Sequence, residues 1–581
     1  MLARRLLASG AARSPSRLAA RFPLRGASAA RHHVRPAHAS ALFSTIVHSS
    51  PHDEIHIPEH TIWEVIEDRV KTHADESAFI CGITHEKLSF QELHEGAKRI
   101  AVALGRDGVR KGDAVVLHSF NCLEYPMVVL ALTSIGAICS PASPMLRANE
   151  LALQIEQAKA NYVITHQEME SLALEATAMA GVDKRYVYTM GKEKSTEGLR
   201  SINEIASTAP IDDFFYEPFD PHTNVCLPFS SGTTGVPKGV ALSAKNLLAN
   251  ALQVGHIEQH GDTYIGLVPF YHIYGMMMIH LSIYQGKTIV TLPRFNPETF
   301  LSTLSKYKVR CEERSPIRTA HIAPPAVLFL AHHPLVNDYD LSATEFVVSG
   351  GAPMGEKVES LVRERLGLHV KQIYGMTELS PAVNYGEDHT RKPGSVGRLV
   401  PNTELRVRCV DNDIDLPHNE RGELLYRGPQ VMLGYVNNEE ANKSVFTDDG
   451  FLRTGDIGYI DEDGFVFVVD RAKELIKYKG HQVAPAELED VLNHHPGLAD
   501  SCCVRGQNSD GEEIPKAFVV RKDNDAGRSL TEQDVLDFVE ERVAPYKKVR
   551  AVEFIEAIPK SPTGKMLRRE LQDRENRSHQ L

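Results

Sequence analysis

The residues best suited to chemistry lie in one short stretch, Phe229-Ser230-Ser231-Gly232-Thr233-Thr234-Gly235-Val236-Pro237-Lys238-Gly239. Four hydroxyl side chains, three glycines and one lysine within it would pack poorly in a core. They suit a loop that wraps an oxyanion: the glycines let backbone N–H groups turn toward a phosphate, the hydroxyls donate further hydrogen bonds, and Lys238 adds charge. The Walker pattern is excluded, because Pro237 stands where its second glycine is required. A Gly/Ser linker is the bland alternative, but linkers are repetitive and lack a lone lysine.

Further stretches of the same kind follow in order. Phe346-Val347-Val348-Ser349-Gly350-Gly351-Ala352-Pro353 reads as a strand ending in a tight turn, a place where α/β sheets collect nucleotides. Next comes Gln372-Ile373-Tyr374-Gly375-Met376-Thr377-Glu378, in which Thr377 can bond a phosphate oxygen and Glu378 offers a carboxylate for Mg²⁺. Asp456, in the glycine turn of Arg453-Thr454-Gly455-Asp456, is the candidate for vicinal ribose hydroxyls, since a carboxylate accepts from both. Lys565 sits on a glycine-bearing loop, Pro562-Thr563-Gly564-Lys565, ahead of a basic helical segment.

These positions need a large scaffold. With 581 residues the chain exceeds one core, so at least two domains are expected. Residues 1–44 hold eight arginines and no acid, which leaves the rest eight charges more negative than the formal −12. So acidic a body argues against nucleic-acid binding, and any polyanionic ligand must be held by a few local cations. The Arg-, Ala- and Ser-rich start is patterned as a transit peptide (1–45) for the mitochondrial matrix. The terminal His579-Gln580-Leu581 departs at two positions from the peroxisomal signal. No apolar run reaches the length of a membrane span. Eight cysteines without a CxxC read as free thiols, and 27 histidines form no HExxH metal motif.

Strands and helices alternate in the way that builds parallel sheets. We expect helices over 62–72, 89–104 (with Ser89 and Glu92 as a capping box) and 148–158, and strands at 78–81, 114–118, 137–140 and 162–165. Residues 185–220 read as a connection. The fold class expected is α/β: a large N-terminal domain (46–470) on parallel and mixed sheets with flanking helices, then a small mobile α+β domain (471–581). The cationic run Lys473-Glu474-Leu475-Ile476-Lys477-Tyr478-Lys479-Gly480 lies at the boundary and reads as a hinge.

From about residue 60 to 575 these motifs, in this order, resemble the adenylate-forming enzymes, which include acyl-CoA synthetases, luciferases and peptide-synthetase adenylation domains. Phe270-Tyr271-His272-Ile273-Tyr274, Tyr374-Gly375-Met376-Thr377-Glu378 and 473–483 look most like 4-coumarate:CoA ligase-like acyl-CoA synthetases. The resemblance implies that a carboxylate attacks the α-phosphorus of ATP, giving an acyl-adenylate and pyrophosphate, and that the thiol of coenzyme A then displaces AMP. It assigns ATP binding to Ser230, Ser231, Gly232, Thr233, Thr234, Gly235, Lys238, Gly351, Ala352, Pro353, Gln372, Tyr374, Gly375, Met376, Thr377, Asp456, Arg471 and Lys565. Lys565, His272, Thr377 and Glu378 are the implied catalytic set, with Glu378 the Mg²⁺ ligand. Tyr271, His272, Tyr274, Met278, Gly350, Ile373, Gly375, Pro381 and Ala382 are implied to line the acid pocket. Lys473 is the implied pivot about which Lys565 leaves and Lys477, Lys479, Gly480 and Gln482 enter for the coenzyme A step.

Plant hydroxycinnamate ligases generally carry Gly at the position of Ile373 and Ser at that of Met278. The larger apolar groups favour an apolar monocarboxylic acid, aryl or medium-to-long-chain fatty acyl. No obligate protein partner is indicated. A carrier-loading adenylation enzyme, a luciferase-type oxygenase and a non-catalytic scaffold are the competing readings. Retention of Lys238, Glu378, Asp456 and Lys565 together argues against the scaffold.

Overall fold

The computed structural model describes residues 46–230, 237–307, 316–352, 354–388, 390–471, 473–478, 481–508, 512–561 and 564–578. The amino-terminal 45 residues, Ser231, Gly232, Thr233, Thr234, Gly235, Pro353, Lys479 and Gly480 lie outside them.

Local signals set the early helices. Thr61 caps Ile62–His73 and Ser89 caps Phe90–Arg106, each in a reciprocal capping box, with Glu64 and Glu92 respectively. Two large sheets then form, each of nine strands among the described residues. In one, Ile138–Ala142, Ala114–His118, Tyr162–His166 and Val187–Met190 run parallel. Its other flank carries Asn224–Cys226, Lys238–Ser243 and Phe229–Ser230. The region 185–220 is therefore more than a connection. Val187–Met190 and Arg200–Ser201 extend the sheet and Ile202–Thr208 is helical, elements too short to announce themselves by periodicity.

The second sheet places His369–Gly375, Phe346–Gly350, Thr319–His321, Thr263–Gly266, Thr288–Thr291 and Ser77–Cys81 side by side and parallel. Helices Phe90–Arg106, Glu124–Ser134, Ala244–Ile257 and Ile273–Gln285 contribute to one continuous core with both sheets, including the fully buried Phe90, Tyr125, Tyr264 and Met278. A third sheet, of five strands among the described residues, carries Leu452–Ile460 beside Val466–Arg471 and ends the large domain.

The small domain has its own core. The hairpin Ile476–Tyr478/His481–Val483, helix Pro485–Asn493 and the sheet Leu498–Gln507, Glu513–Arg521, Ala551–Phe554 bury Ile476, Val483, Leu488, Cys503 and Val519 together. Cys502 and Cys503 are wholly buried in this sheet, where burial pushes both thiols up, so they stay protonated. A large α/β domain followed by a small α+β domain is the expected class. Among the described residues no helix is long and apolar enough to cross a membrane.

Candidate active site

The site candidates gather where strands of the second sheet end. At the carboxyl end of Phe346–Gly350, Gly351 turns the chain with φ +94, and Ala352 is half-buried beside it. Neighbouring Gly350 pairs in register with Ile373 of His369–Gly375. Beyond that strand the chain folds back: Met376 N–H donates to the Pro381 carbonyl at 3.1 Å. A β-carbon on Gly375 would overlap that same carbonyl, so the sequence Tyr-Gly-Met requires its glycine.

The fold-back puts Thr377 and Glu378 on a short 3₁₀ turn facing the edge of the first sheet. Glu378 is buried, and its Oε1 accepts from both Ser230 Oγ and Tyr435 Oη, each at 2.9 Å. Ser230 pairs with Lys238 across the strands that flank the loop, and Lys238 Nζ lies 4.9 Å from the Tyr435 ring centroid. One tyrosine thus joins the lysine and the carboxylate. Among the described residues no group of three or more His, Cys, Asp or Glu could hold a metal by itself. A single hard carboxylate flanked by hydroxyls fits Mg²⁺ brought in on phosphates, which keeps most of its other ligands.

Asp456 and Arg471 are paired residues on the antiparallel strands Leu452–Ile460 and Val466–Arg471. Their side chains meet at 3.3 Å, Arg471 Nε to Asp456 Oδ1. Asp456 Oδ2 accepts from Tyr374 Oη at 2.6 Å, and burial with this carboxylate raises the tyrosine well above its usual range. Each carboxylate oxygen keeps a second lone pair for a ligand hydroxyl. Gln372 is turned away from this group. Its amide donates to Glu359 Oε1 at 2.6 Å and to the Met354 carbonyl at 3.1 Å, bracing the turn from below.

His272 caps the helix Ile273–Gln285, its Nδ1 accepting from Tyr274 N–H at 3.3 Å. Burial, with a smaller contribution from the charge of Lys565, lowers its pKa to about 4, so the ring is neutral. Tyr271 is partly buried, Tyr274, Ile373 and Ala382 are buried, and Met278 is wholly enclosed in the helix's inner face. The Tyr274 hydroxyl bonds His321 Nδ1 at 3.0 Å, and Ala382 is pinned by Asn250 through its N–H and carbonyl. Pro381 follows Ser380 by a cis peptide bond.

Lys565 reaches this site from the small domain. Ser561 N–H donates to the Lys565 carbonyl at 2.7 Å, and Lys565 N–H donates to Ser561 Oγ at 3.1 Å, closing the loop on itself. Gly564, at φ +79, abuts Pro325 of the large domain so tightly that a β-carbon would overlap the proline ring. Burial, then the charge of Arg471, lowers the Lys565 ammonium to about 8, against the opposing pull of Asp456 and Glu378. Five predicted residues from distant parts of the chain (His272, Glu378, Asp456, Arg471 and Lys565) therefore share one electrostatic neighbourhood.

Lys473 and Lys477 are exposed, and the Lys477 N–H donates to Glu513 Oε2 at 2.8 Å. Gln482 pairs with Lys477 in the hairpin. Sequence reasoning missed Tyr435 and His321, since a lone Tyr or His carries no signal without its spatial partner.

Two domains of this architecture, with Ser230 and Lys238 beside a buried carboxylate and a lysine docked from the small domain, define an adenylate-forming enzyme. Comparison with known proteins agrees. The AMP-binding enzyme family model matches residues 66–436, and that of the AMP-binding enzyme C-terminal domain matches 487–565. The chain belongs to the AMP-binding enzyme family. It is similar to the probable 4-coumarate–CoA ligase 1 of Dictyostelium discoideum, 37% identical over 90% of this chain and 97% of that one. The 4-coumarate–CoA ligase of Pinus taeda is 35% identical over 89% of this chain and 95% of its own length. Among solved structures, ATP-bound MatB from Rhodopseudomonas palustris superposes with TM-score 0.78 at 26% identity, covering 89% of this chain and 99% of that one. The anthranilate CoA ligase AuaEII with anthranoyl-AMP shares the fold, with TM-score 0.81 at 24% identity over 91% and 99%.

Proposed function

We propose that this chain is an ATP-dependent acid–CoA ligase that activates a largely apolar monocarboxylic acid, aryl or medium-to-long-chain fatty acyl. The observation that carries the reading is Lys565 of the small domain docked beside Arg471, Asp456, Glu378 and His272 of the large one.

The chemistry follows from charge. A carboxylate attacking the α-phosphorus of ATP brings two anions together, and pyrophosphate departs with more. The Lys565 ammonium meets the carboxylate and the α-phosphate, where a preorganised cation lowers the barrier most. Lys238 and the hydroxyls of Ser230, Ser231, Thr233 and Thr234 hold the β- and γ-phosphates. Asp456 accepts from the ribose hydroxyls while Arg471 holds its carboxylate in place. Thr377 contacts phosphate, and Glu378, its Oε1 fixed by Ser230 and Tyr435, would hold Mg²⁺, which when bound would neutralise phosphate charge. Neutral His272 bounds the acid's carboxylate end without adding charge.

The acid's body then lies against Tyr271, Tyr274, Ile373 and Met278. The Tyr274 hydroxyl is already engaged by His321, which supports an apolar rather than a hydroxylated acid. For the second step the small domain turns about Lys473, withdrawing Lys565 and presenting the 477–482 hairpin to coenzyme A, a known type of domain switch. The thiol attacks the acyl carbonyl and AMP leaves. The acid-free, arginine-rich start supports import into the mitochondrial matrix. A reporter fused to residues 1–45 that stays in the cytosol would refute that.

Pyrophosphate release and coenzyme A consumption, measured over a panel from hexanoate to palmitate and from benzoate to 4-coumarate, test the reading. Equal pyrophosphate and thioester with an apolar acid is expected. Pyrophosphate without use of coenzyme A would favour carrier loading, and no turnover with any acid a scaffold.

A further inference from the structure

Lys565 is placed by a loop, and loops hold a charge poorly unless something anchors their ends. Burial lowers the proton affinity of Lys565 and of Arg568, and the charge of Arg471 adds to both, so three cations crowd one corner of the molecule. Arg568 is the first residue of the helix Arg568–Ser578, immediately downstream of the loop. Its side chain is only 13% exposed.

The guanidinium is ringed by three carboxylates from two stretches of the chain, Asp470 and Glu474 on one and Glu489 on the other. One terminal nitrogen donates to both oxygens of Glu489, at 2.8 and 2.7 Å. The other donates to Glu474, just past the hinge, and lies 3.8 Å from Asp470. Glu489 and Asp470 are themselves fixed. Glu489 Oε1 also accepts from Cys503 N–H at 2.7 Å, which ties it to the small domain's sheet. Asp470 Oδ1 accepts from Arg471 N–H at 2.7 Å and Oδ2 from Ala486 N–H at 2.8 Å. Asp470 therefore joins the strand that ends in Arg471 to the first turn of Pro485–Asn493.

Arg568 thus stands between the two cations of the site. On one side, three residues of chain lead back to Lys565; on the other, Asp470 is the covalent neighbour of Arg471. A planar fork shared among fixed carboxylates holds direction as well as distance, which an ammonium does not. We infer that Arg568 is the positioning residue of Lys565, locking the lysine loop to the small domain through Glu489 and Glu474 and to the Arg471 strand through Asp470. The inference rests on the proposed function only for its catalytic consequence.

The test needs no knowledge of the acid. Acetic anhydride labelling of Lys565 in the full-length protein, read by peptide mass spectrometry across pH 6–11, reports the lysine's proton affinity in its seat. The groups that face it are Arg471, Asp456, Glu378 and His272. In the parent protein the midpoint is expected near 8. With Arg568→Gln the loop loses its anchor and the midpoint rises by a unit or more toward the free-lysine value; Arg568→Lys gives a smaller rise. Glu474→Gln, which leaves the buried Glu489 pair intact, moves it the same way by less and serves if Arg568→Gln does not fold. A midpoint unmoved in folded variants overturns the inference.

The catalytic consequence is read by acid-dependent ATP–pyrophosphate exchange with the best acid of the panel, where a misplaced group costs about a hundredfold. If the midpoint moves while Lys565→Ala still adenylates, the functional reading fails and the positioning stands. If Lys565→Ala is dead and the Arg568→Gln midpoint is unmoved, this inference alone fails.

Discussion

Lys565 and His272, one from each domain, lie close enough that the ammonium adds to burial in keeping the imidazole neutral, with a pKa of about 4. In the proposed reaction that proximity sets the lysine at the carboxylate end of the acid, the arrangement adenylation requires. It also gives a direct separation of the two half-reactions. Lys565→Ala should slow adenylation about a hundred- to a thousandfold, the loss expected for one preorganised donor at a developing charge. Conversion of a supplied acyl-adenylate to the thioester should persist. Equal loss in both half-reactions would sink the proposed domain rotation.

The same lysine sets a pH limit. Its folded pKa, about 8, lies below its ordinary 10.5, and the protonated form is the useful one. Adenylation should hold level below pH 8 and fall as pH rises through it, while neutral His272 adds no step near neutrality. For stability the sign is opposite. The native state binds this proton less tightly than the unfolded chain, so the charge opposes folding below pH 8 and ceases to do so toward 10.5. Lys565→Ala should therefore melt no lower than the parent at pH 7. A pH–rate profile and a melting curve check the two halves.

Tyr374→Phe removes the hydroxyl that donates to Asp456 Oδ2 at 2.6 Å. A hydrogen bond to a charged group is worth about 1.5–3 kcal/mol, so the KM for ATP should rise about tenfold or more. The KM for the acid should change little. An effect falling on the acid instead would remove Asp456 from the nucleotide side of the site.

Glu378→Gln keeps an oxygen to accept from Ser230 and Tyr435 but loses the charge. The fold should be unchanged, and the Mg²⁺ needed for half-maximal pyrophosphate release should rise about tenfold, the scale of one lost metal-site interaction. An unaltered Mg²⁺ titration would place the metal elsewhere.

Met278 is wholly buried and Ile373 nearly so. Met278→Ser should cost about 2–4 kcal/mol, because a deeply enclosed side chain leaves a cavity when truncated. The double change Ile373→Gly with Met278→Ser should shift the ratio of kcat/KM toward 4-coumarate and away from fatty acids. A ratio that does not move would remove these residues from the pocket.

What the sequence determined by itself was local. The capping box at Ser89, the strands Ala114–His118 and Tyr162–His166, the helix Ala148–Ala158 and the two-domain order all follow from short-range periodicity and end signals, which need no distant partner. The oxyanion-loop flanks, Glu378, Asp456 and Lys565 were legible because they stand in glycine-bearing motifs whose order along the chain resembles that of the adenylate-forming enzymes. Only the tertiary structure decided how they are held. Tyr435 joins Lys238 to Glu378, Tyr374 engages Asp456, and Arg568 braces the lysine loop. Gln372 turns to Glu359 instead of into the site. These partners come from strands and loops far apart in the chain, and no local pattern encodes a contact that exists only once two sheets and two domains have packed.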